Sequence, residues 1–446
     1  MTAPTKSGFR TFRMAWPGKR ARPSLGQEWQ TKRDPYRAQL SLTLVVSALV
    51  LLLGLSRLVT GPWFHVYHPP ETSLLEGRPV SWEAVYYTDH FPTFTADAPP
   101  RLGIAPVHYR TLLALYLAAT LYTWTGSAYW SFAAVDLLFW ALAGVAGYHL
   151  SRRLGVDPWG AALGALLLVA SPLLVSHMWR HDLHPANFAS MTLALWAGVT
   201  LVDEHRRAWR LAVSLGLLMI AASLGYQYQW VLAPLLLVLA VTHPRLGPWR
   251  GTAVVGAAVV LYLLATAALD ALLVATVGPV TEWNNVASQP GGMIRERLQA
   301  VRTPGDLRAL LPGIPLVEEL IRSYHPPLLL VALAGVALLG WRVTLLTLTG
   351  LTIALFSLTY YPAPWAATTT YPLVYAGAGT ACVAFGRGGA RLLRTLFRGR
   401  VPTLVVAQLL ALLLALALVI PPNADLVGDP TFLLTWWGYF AARYSF

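Results

Sequence analysis

Long apolar runs, cut at short intervals by clusters of arginine, set the pattern of this chain. A helix rises about 1.5 Å per residue and needs roughly 17 to 25 apolar residues to cross the hydrocarbon core of a bilayer. By that measure about eleven runs read as spans: 40–60, 128–150, 158–176, 186–202, 209–225, 228–242, 252–276, 326–341, 343–360, 368–386 and 402–420. Several are short, which predicts tilted or half-buried helices within a bundle. No period of 20 to 50 residues recurs, so a solenoid is not expected. The predicted fold is an all-α polytopic transmembrane bundle.

The gaps between spans predict orientation. With the N-terminus in the cytoplasm, the inner gaps hold Arg152-Arg153, the run Asp203-Glu204-His205-Arg206-Arg207 with Arg210, Arg245 with Arg250, Arg342, and the group Arg387, Arg391, Arg394, Arg398 and Arg400. Every inner gap is basic, as the excess of cations in cytoplasmic loops requires. The outer side then takes the large loops 61–127 and 277–325, the turn 177–185, the short segment 360–368 and the tail 421–446. The stretch 107–124 is apolar enough to be a span, but counting it would invert every arginine gap after it. It is therefore expected as an interfacial or re-entrant helix on the outer surface, with Tyr109, Tyr116, Tyr122 and Trp124 in the aromatic belt.

Composition agrees. Of 446 residues, 56% are apolar and only 12% charged, about half the charge of a soluble domain. An ordinary soluble enzyme and a disordered chain are excluded. The net charge of +13 does not point to nucleic acid, because all the lysines (Lys6, Lys19, Lys32) precede residue 40 and most arginines sit in the gaps between spans. The single Cys382 lies in an apolar run and can form no internal disulfide. Residues 1–39 carry Pro17 and Pro23 and lead into an apolar run with no small-residue cleavage site, so they read as a retained basic cytoplasmic arm. Residues 40–420 form the transmembrane domain. Residues 421–446, with Trp436-Trp437-Gly438-Tyr439-Phe440, form an aromatic non-cytoplasmic tail. The expected location is the plasma (inner) membrane.

Candidate chemistry lies in the outer segments. The first loop carries Glu71, Glu83, Asp89 followed by His90, and Asp97. The turn Arg180-His181-Asp182-Leu183-His184-Pro185 is dense in polar groups. Such a turn can bind a divalent cation or hold a phosphate through Arg180; an interfacial turn facing headgroups and water is the alternative. The second loop holds the hinge Gly291-Gly292, a charged amphipathic stretch over 293–301, and Arg322-Ser323-Tyr324-His325. His65, His68, His90, His108, His177, His181, His184 and His325 all fall outside. Histidine, neutral near pH 7, is tolerated where the topology rule disfavours lysine and arginine.

One sequence of pieces is informative. Leu112 to Trp124 and Gly126 are followed by a span ending in Tyr148-His149-Leu150-Ser151-Arg152-Arg153-Leu154-Gly155, and the run 161–170 precedes Ser171-Pro172. Then come Ser176-His177-Met178-Trp179-Arg180 and the leucine-rich Asn187 to Trp196. This order resembles the GT-C superfamily of polyprenyl-phosphate-sugar-dependent glycosyltransferases, of the protein mannosyltransferase and aminoarabinose transferase kind. The resemblance covers roughly residues 40–245 and the remainder in outline. Two departures stand out. The family's outer-loop acid commonly sits soon after the first span and pairs with a second; here Glu71 is the nearest and Asp89 the best embedded. Its late arginine–tyrosine element corresponds to Tyr360-Tyr361-Pro362-Ala363-Pro364-Trp365, which has no arginine.

The resemblance implies transfer of a sugar from a polyprenyl-phosphate donor, with membrane lipid around the protein and an acceptor that the residues do not specify. An acceptor hydroxyl must lose a proton as it attacks, and a carboxylate can assist. Asp89, with Glu71 second, is the candidate base or metal-linked carboxylate. The leaving lipid phosphate must be neutralised by arginine, by a metal ion, or by both. Arg180 and Arg322 are the candidate phosphate ligands. His181, Asp182 and His184 are the candidate ligands of a divalent metal, Mg or Mn. Two other readings stay open: a lipid or polysaccharide transporter or flippase, and a non-catalytic assembly subunit. A transporter usually places ionisable groups at the midplane, whereas the spans hold only the carboxylates Asp136 and Asp270.

Overall fold

A computed structural model describes residues 128–171, 184–204, 207–223, 229–277, 324–360, 370–397 and 402–428, with single positions between 114 and 125, at 174 and between 317 and 321. Ten helices follow in order: α1 Ala128–Arg153, α2 Pro158–Val169, α3 His184–Asp203, α4 Ala208–Ser223, α5 Gln229–Val241, α6 Pro248–Val277, α7 Pro326–Leu339, α8 Trp341–Tyr360, α9 Tyr371–Leu396 and α10 Thr403–Gly428. Each coincides with one predicted span. The first predicted span, 40–60, lies outside the described residues. No strand occurs among them.

Sequence chemistry fixes the helix ends. Asp157 caps α2, its carboxylate accepting from the Gly160 N–H at 2.9 Å, and Pro158 follows at the first position, where its missing N–H costs nothing. The α7–α8 reversal is a single residue, Gly340, with φ of 101°. A side chain there would be strained, and glycine permits the chain to turn back at once. Some ends depart from expectation. The predicted span 158–176 stops as a helix at Val169, just before Pro172, which cannot continue the hydrogen-bond ladder. The predicted spans ending at 386 and 420 instead run on to Leu396 and Gly428. Hydropathy marks where lipid ends; in α9 the leucines and arginines beyond 386 remain good helix formers.

Two hydrophobic clusters hold the helices together. The first gathers the buried faces of α1, α2, α7, α9 and α10 with the start of α3. The second gathers α3, α4, α5, the first half of α6, and residues of α8. Helix α9 is the axis of the first, buried along Tyr371–Gly379 and packed on α2, α7 and α10. Close approach depends on glycine: a Cβ on Gly164 would sit 2.7 Å from the Tyr375 carbonyl oxygen, and one on Gly377 would sit 2.5 Å from Val336 Cγ2. With lipid outside, small residues that let backbones meet are the main source of packing energy.

Several threonines in the helices are satisfied locally. Thr192, Thr200, Thr266 and Thr380 each donate to the carbonyl four residues earlier at 2.6–2.8 Å. Among the described residues four helices, Ala133–Arg153, Pro185–Asp203, Pro248–Ala268 and Thr403–Pro421, are long and apolar enough to cross a membrane. The last two expose leucines along their length, among them Leu263, Leu264, Leu404 and Leu413. Such faces suit hydrocarbon as solvent and are foreign to a water-soluble surface. The protein is an all-helical membrane protein.

Outside the ten helices, positions described between 114 and 125 are also helical. Ala114 is buried and Leu117 and Leu121 pack on the first cluster, while Thr120, Trp124 and Thr125 are exposed. Positions 317, 320, 321 and 324 are helical as well, with Leu320 and Tyr324 buried. That helix was not expected within the loop 277–325. Its spacing of Val317, Leu320, Ile321 and Tyr324 is the one-sided helical pattern, but Glu318, Glu319 and Arg322 interleave and dilute it.

Candidate active site

Successive helices alternate in direction, so their connections collect at two ends. One end is rich in arginine and is held by polar links. Arg387 Nη2 meets Asp157 Oδ2 at 2.6 Å, tying α9 to the α1–α2 turn. Arg342 Nε donates to Thr242 Oγ1 at 3.5 Å, tying the α7–α8 turn to α5. His243 Nδ1 accepts from the Arg245 N–H at 3.3 Å, which leaves Nε2 to carry the proton of the neutral ring, 3.7 Å from Asp203 Oδ1.

The opposite end has a different character, beginning with the short α2. A helix end that stops inside a protein leaves its last carbonyls without partners. Here side chains from two neighbours supply them: Trp140 Nε1–H of α1 donates to the Val169 carbonyl at 3.0 Å, and Asn423 Nδ2 of α10 donates to the Ala170 carbonyl at 2.8 Å. Asp136 is fully buried one turn before Trp140, on the same face of α1.

Beside this cap lies a layer of buried aromatic rings. Tyr371 opens α9 and is the hub: its ring centroid is 4.7 Å from Tyr324, 5.4 Å from Tyr375 and 6.0 Å from Phe188 at the start of α3. Tyr324 shares a hydrogen bond with Thr370, both fully buried. Burial pushes the Tyr324 phenol above its ordinary range, against the opposing pull of the Thr370 hydroxyl. Ser171, just past α2, faces Tyr375. The layer thus joins the end of α2, the start of α3, the segment leading into α7, and the start of α9.

Asp89, Glu71, Arg180, Arg322, His181 and Asp182 lie outside the described residues, and His184 is described only as the first residue of α3. The chain leaves α2 and re-enters at α3 on the aromatic end, bracketing residues 175–183; Tyr324, two residues after Arg322, is part of the layer. Sequence reasoning missed Tyr324, Thr370, Tyr371 and Asn423 as members of one assembly. The signals were Arg322-Ser323-Tyr324-His325 and Thr370-Tyr371-Pro372, polar aromatic pieces abutting apolar runs. Among the described residues no group of three or more His, Cys, Asp or Glu could hold a metal ion. Cys382 is buried in α9 and free.

No family model matches the sequence, and no curated protein matches it either. Solved structures do resemble the fold. The apo oligosaccharyltransferase of Archaeoglobus fulgidus superposes with a TM-score of 0.50 at 15% identity, over 85% of this chain and 55% of that one. ArnT from Cupriavidus metallidurans, solved bound to undecaprenyl phosphate, gives 0.49 at 16% identity, over 87% of this chain and 72% of that one. Both are GT-C superfamily membrane glycosyltransferases. The chain spans about half the length of the oligosaccharyltransferase it resembles. The likeness is one of fold: an all-helical GT-C-like core.

Proposed function

With a GT-C-like core as premise, we propose that the chain is a membrane glycosyltransferase that moves a sugar from a polyprenyl-phosphate donor to an acceptor at the aromatic end, the non-cytoplasmic face, in the plasma membrane. The structural relative named as an oligosaccharyltransferase is consistent with a transferase of this kind. The observation that carries the reading lies in this chain. The end of α2, the start of α3, Tyr324 and Thr370 meet in one buried layer, so the segments holding Arg180 and Arg322 join the bundle at the same end, opposite the arginine-rich turns.

In the reaction the acceptor oxygen forms a bond to the anomeric carbon while the bond from that carbon to the lipid phosphate oxygen breaks. The acceptor proton passes to Asp89, with Glu71 the second choice. The electron pair of the broken bond stays on the polyprenyl phosphate, whose growing negative charge Arg180 and Arg322 offset, as guanidinium does in bidentate phosphate contacts. A divalent ion, when bound, would add positive charge at the same phosphate; Asp89 or the turn His181, Asp182 and His184 would hold it. Carboxylate assistance is worth about 100- to 10,000-fold.

The test is transfer of a labelled sugar from lipid-linked donors by the purified protein, wild type against Asp89→Asn. A fall of about 100-fold or more in the variant is expected. Equal transfer by both would remove Asp89 from the chemistry, and no transfer to any acceptor would favour a flippase or an assembly subunit. Against an ion-coupled transporter stands the described interior, where Asp136 is the only buried carboxylate.

A further inference from the structure

The arginine-rich end carries a second feature that the transfer reaction does not use. Three helices that begin there open with the same pair: Trp209-Arg210 in α4, Trp249-Arg250 in α6 and Trp341-Arg342 in α8. The three indoles are 62%, 89% and 66% exposed, although tryptophan is normally the most valuable side chain to bury. Helices α4 and α6 run in parallel side by side, Gly216 packing on Ala258 and Leu261, so the first two pairs emerge at the same end. The Arg210 guanidinium lies 5.3 Å over the Trp209 ring.

On the other cluster of the bundle, α9 continues past its buried half as a turn-rich arginine helix. Gly386 packs on Ala407 of α10 and Ala390 is buried, but Arg391, Leu392, Arg394, Leu396 and Phe397 are all exposed. Exposed leucine and phenylalanine interleaved with arginine are unfavourable in plain water and in plain hydrocarbon. They are accommodated where apolar stems lie in acyl chains and cations reach up to a polar layer. Arg387 is already met by Asp157, whereas Arg391 and Arg394 make no ion pair among the described residues. The acids described at this end are Asp157, Asp203 and Glu204, outnumbered by arginine. The described surface at this end is therefore electropositive and attracts anions.

We propose that this end is a docking collar for anionic phospholipid headgroups, with the phosphate held by Arg210 and Arg250 on the α4–α6 side and by Arg391 and Arg394 on the α9–α10 side, and the exposed indoles seated at the headgroup level. The placement of the cations favours lipid over a protein partner: they occur on helices of both clusters of the bundle and not on one helix pair alone. A cation near an anionic surface strengthens binding, and several together act cumulatively.

A photoreactive phosphatidylglycerol and its phosphatidylcholine counterpart, each incubated with the full-length protein in detergent and mapped by peptide mass spectrometry, test this. The glycerol lipid is expected to label the peptides containing 208–210, 248–252 and 391–397, and the choline lipid to label them about tenfold less or weaker still. The combined variant Arg210→Gln, Arg250→Gln, Arg391→Gln and Arg394→Gln should lose that label by a similar factor, while the four Arg→Lys changes should keep most of it. Retained labelling of residues elsewhere in the Gln variant would show that it still folds. Equal labelling by both lipids, as expected if a protein covers this surface, would overturn the proposal. So would full labelling of the Gln variant. Neither result depends on glycosyl transfer.

Discussion

Tyr324 shows how much one side chain can organise. Its ring packs on Tyr371, its hydroxyl bonds to Thr370, and it stands between the segment bearing Arg322 and the first turn of α7. His325, next in sequence, has φ of 61°, an uncommon value for a residue with a Cβ, so the chain breaks its helix here and starts another. Because burial holds the Tyr324 phenol neutral, its contribution to stability is whole below the ordinary phenol value, about 10, and is lost as pH rises above it, when the unfolded chain can ionise and the folded one resists. The thermal midpoint in detergent should therefore fall more steeply above about pH 10 for the wild type than for Tyr324→Phe. At neutral pH the variant should be less stable by about 1 kcal/mol, the usual value of one hydrogen bond. Equal slopes in the two proteins would count against this.

At the scale of elements, the fold depends on where helices are allowed to touch. Glycines that look alike in sequence differ sharply in their surroundings. Gly164 of α2 faces the Tyr375 carbonyl at a distance no Cβ can occupy, while Gly388 of α9 has nothing within 4 Å of the place its Cβ would take. Gly164→Ala should force α2 and α9 apart and cost about 1–3 kcal/mol, as overpacking does. Gly388→Ala should be neutral or stabilise by up to about 1 kcal/mol, since alanine is the better helix former. Thermal midpoints of the two variants in one detergent separate these outcomes. Sequence reading places Gly164 in an apolar span and Gly388 in the arginine-rich gap after 386, but whether either meets a neighbouring backbone is decided by the partner helix.

At the scale of the whole molecule, the claim is one of sides. Position 89 and position 206 should be reachable from opposite faces of the membrane. Single cysteines placed there in intact cells or sealed vesicles should react with an impermeant maleimide from different sides; the native Cys382 is buried and should stay silent. Labelling of both from one side would overturn the orientation and with it the proposed donor face. Sequence alone determined the class of solvent, the helical class and the position of ten helices, because burial in lipid is written one residue at a time as apolarity and the arginine gaps mark where many of the runs end. Only the tertiary structure decided that Trp140 and Asn423 close the end of α2, that Tyr324, Thr370 and Tyr371 form one layer, and that the Trp-Arg pairs of α4 and α6 stand side by side. Those facts join residues up to 253 positions apart, and contacts of that kind follow from how helices pack against one another, which no local stretch of sequence encodes.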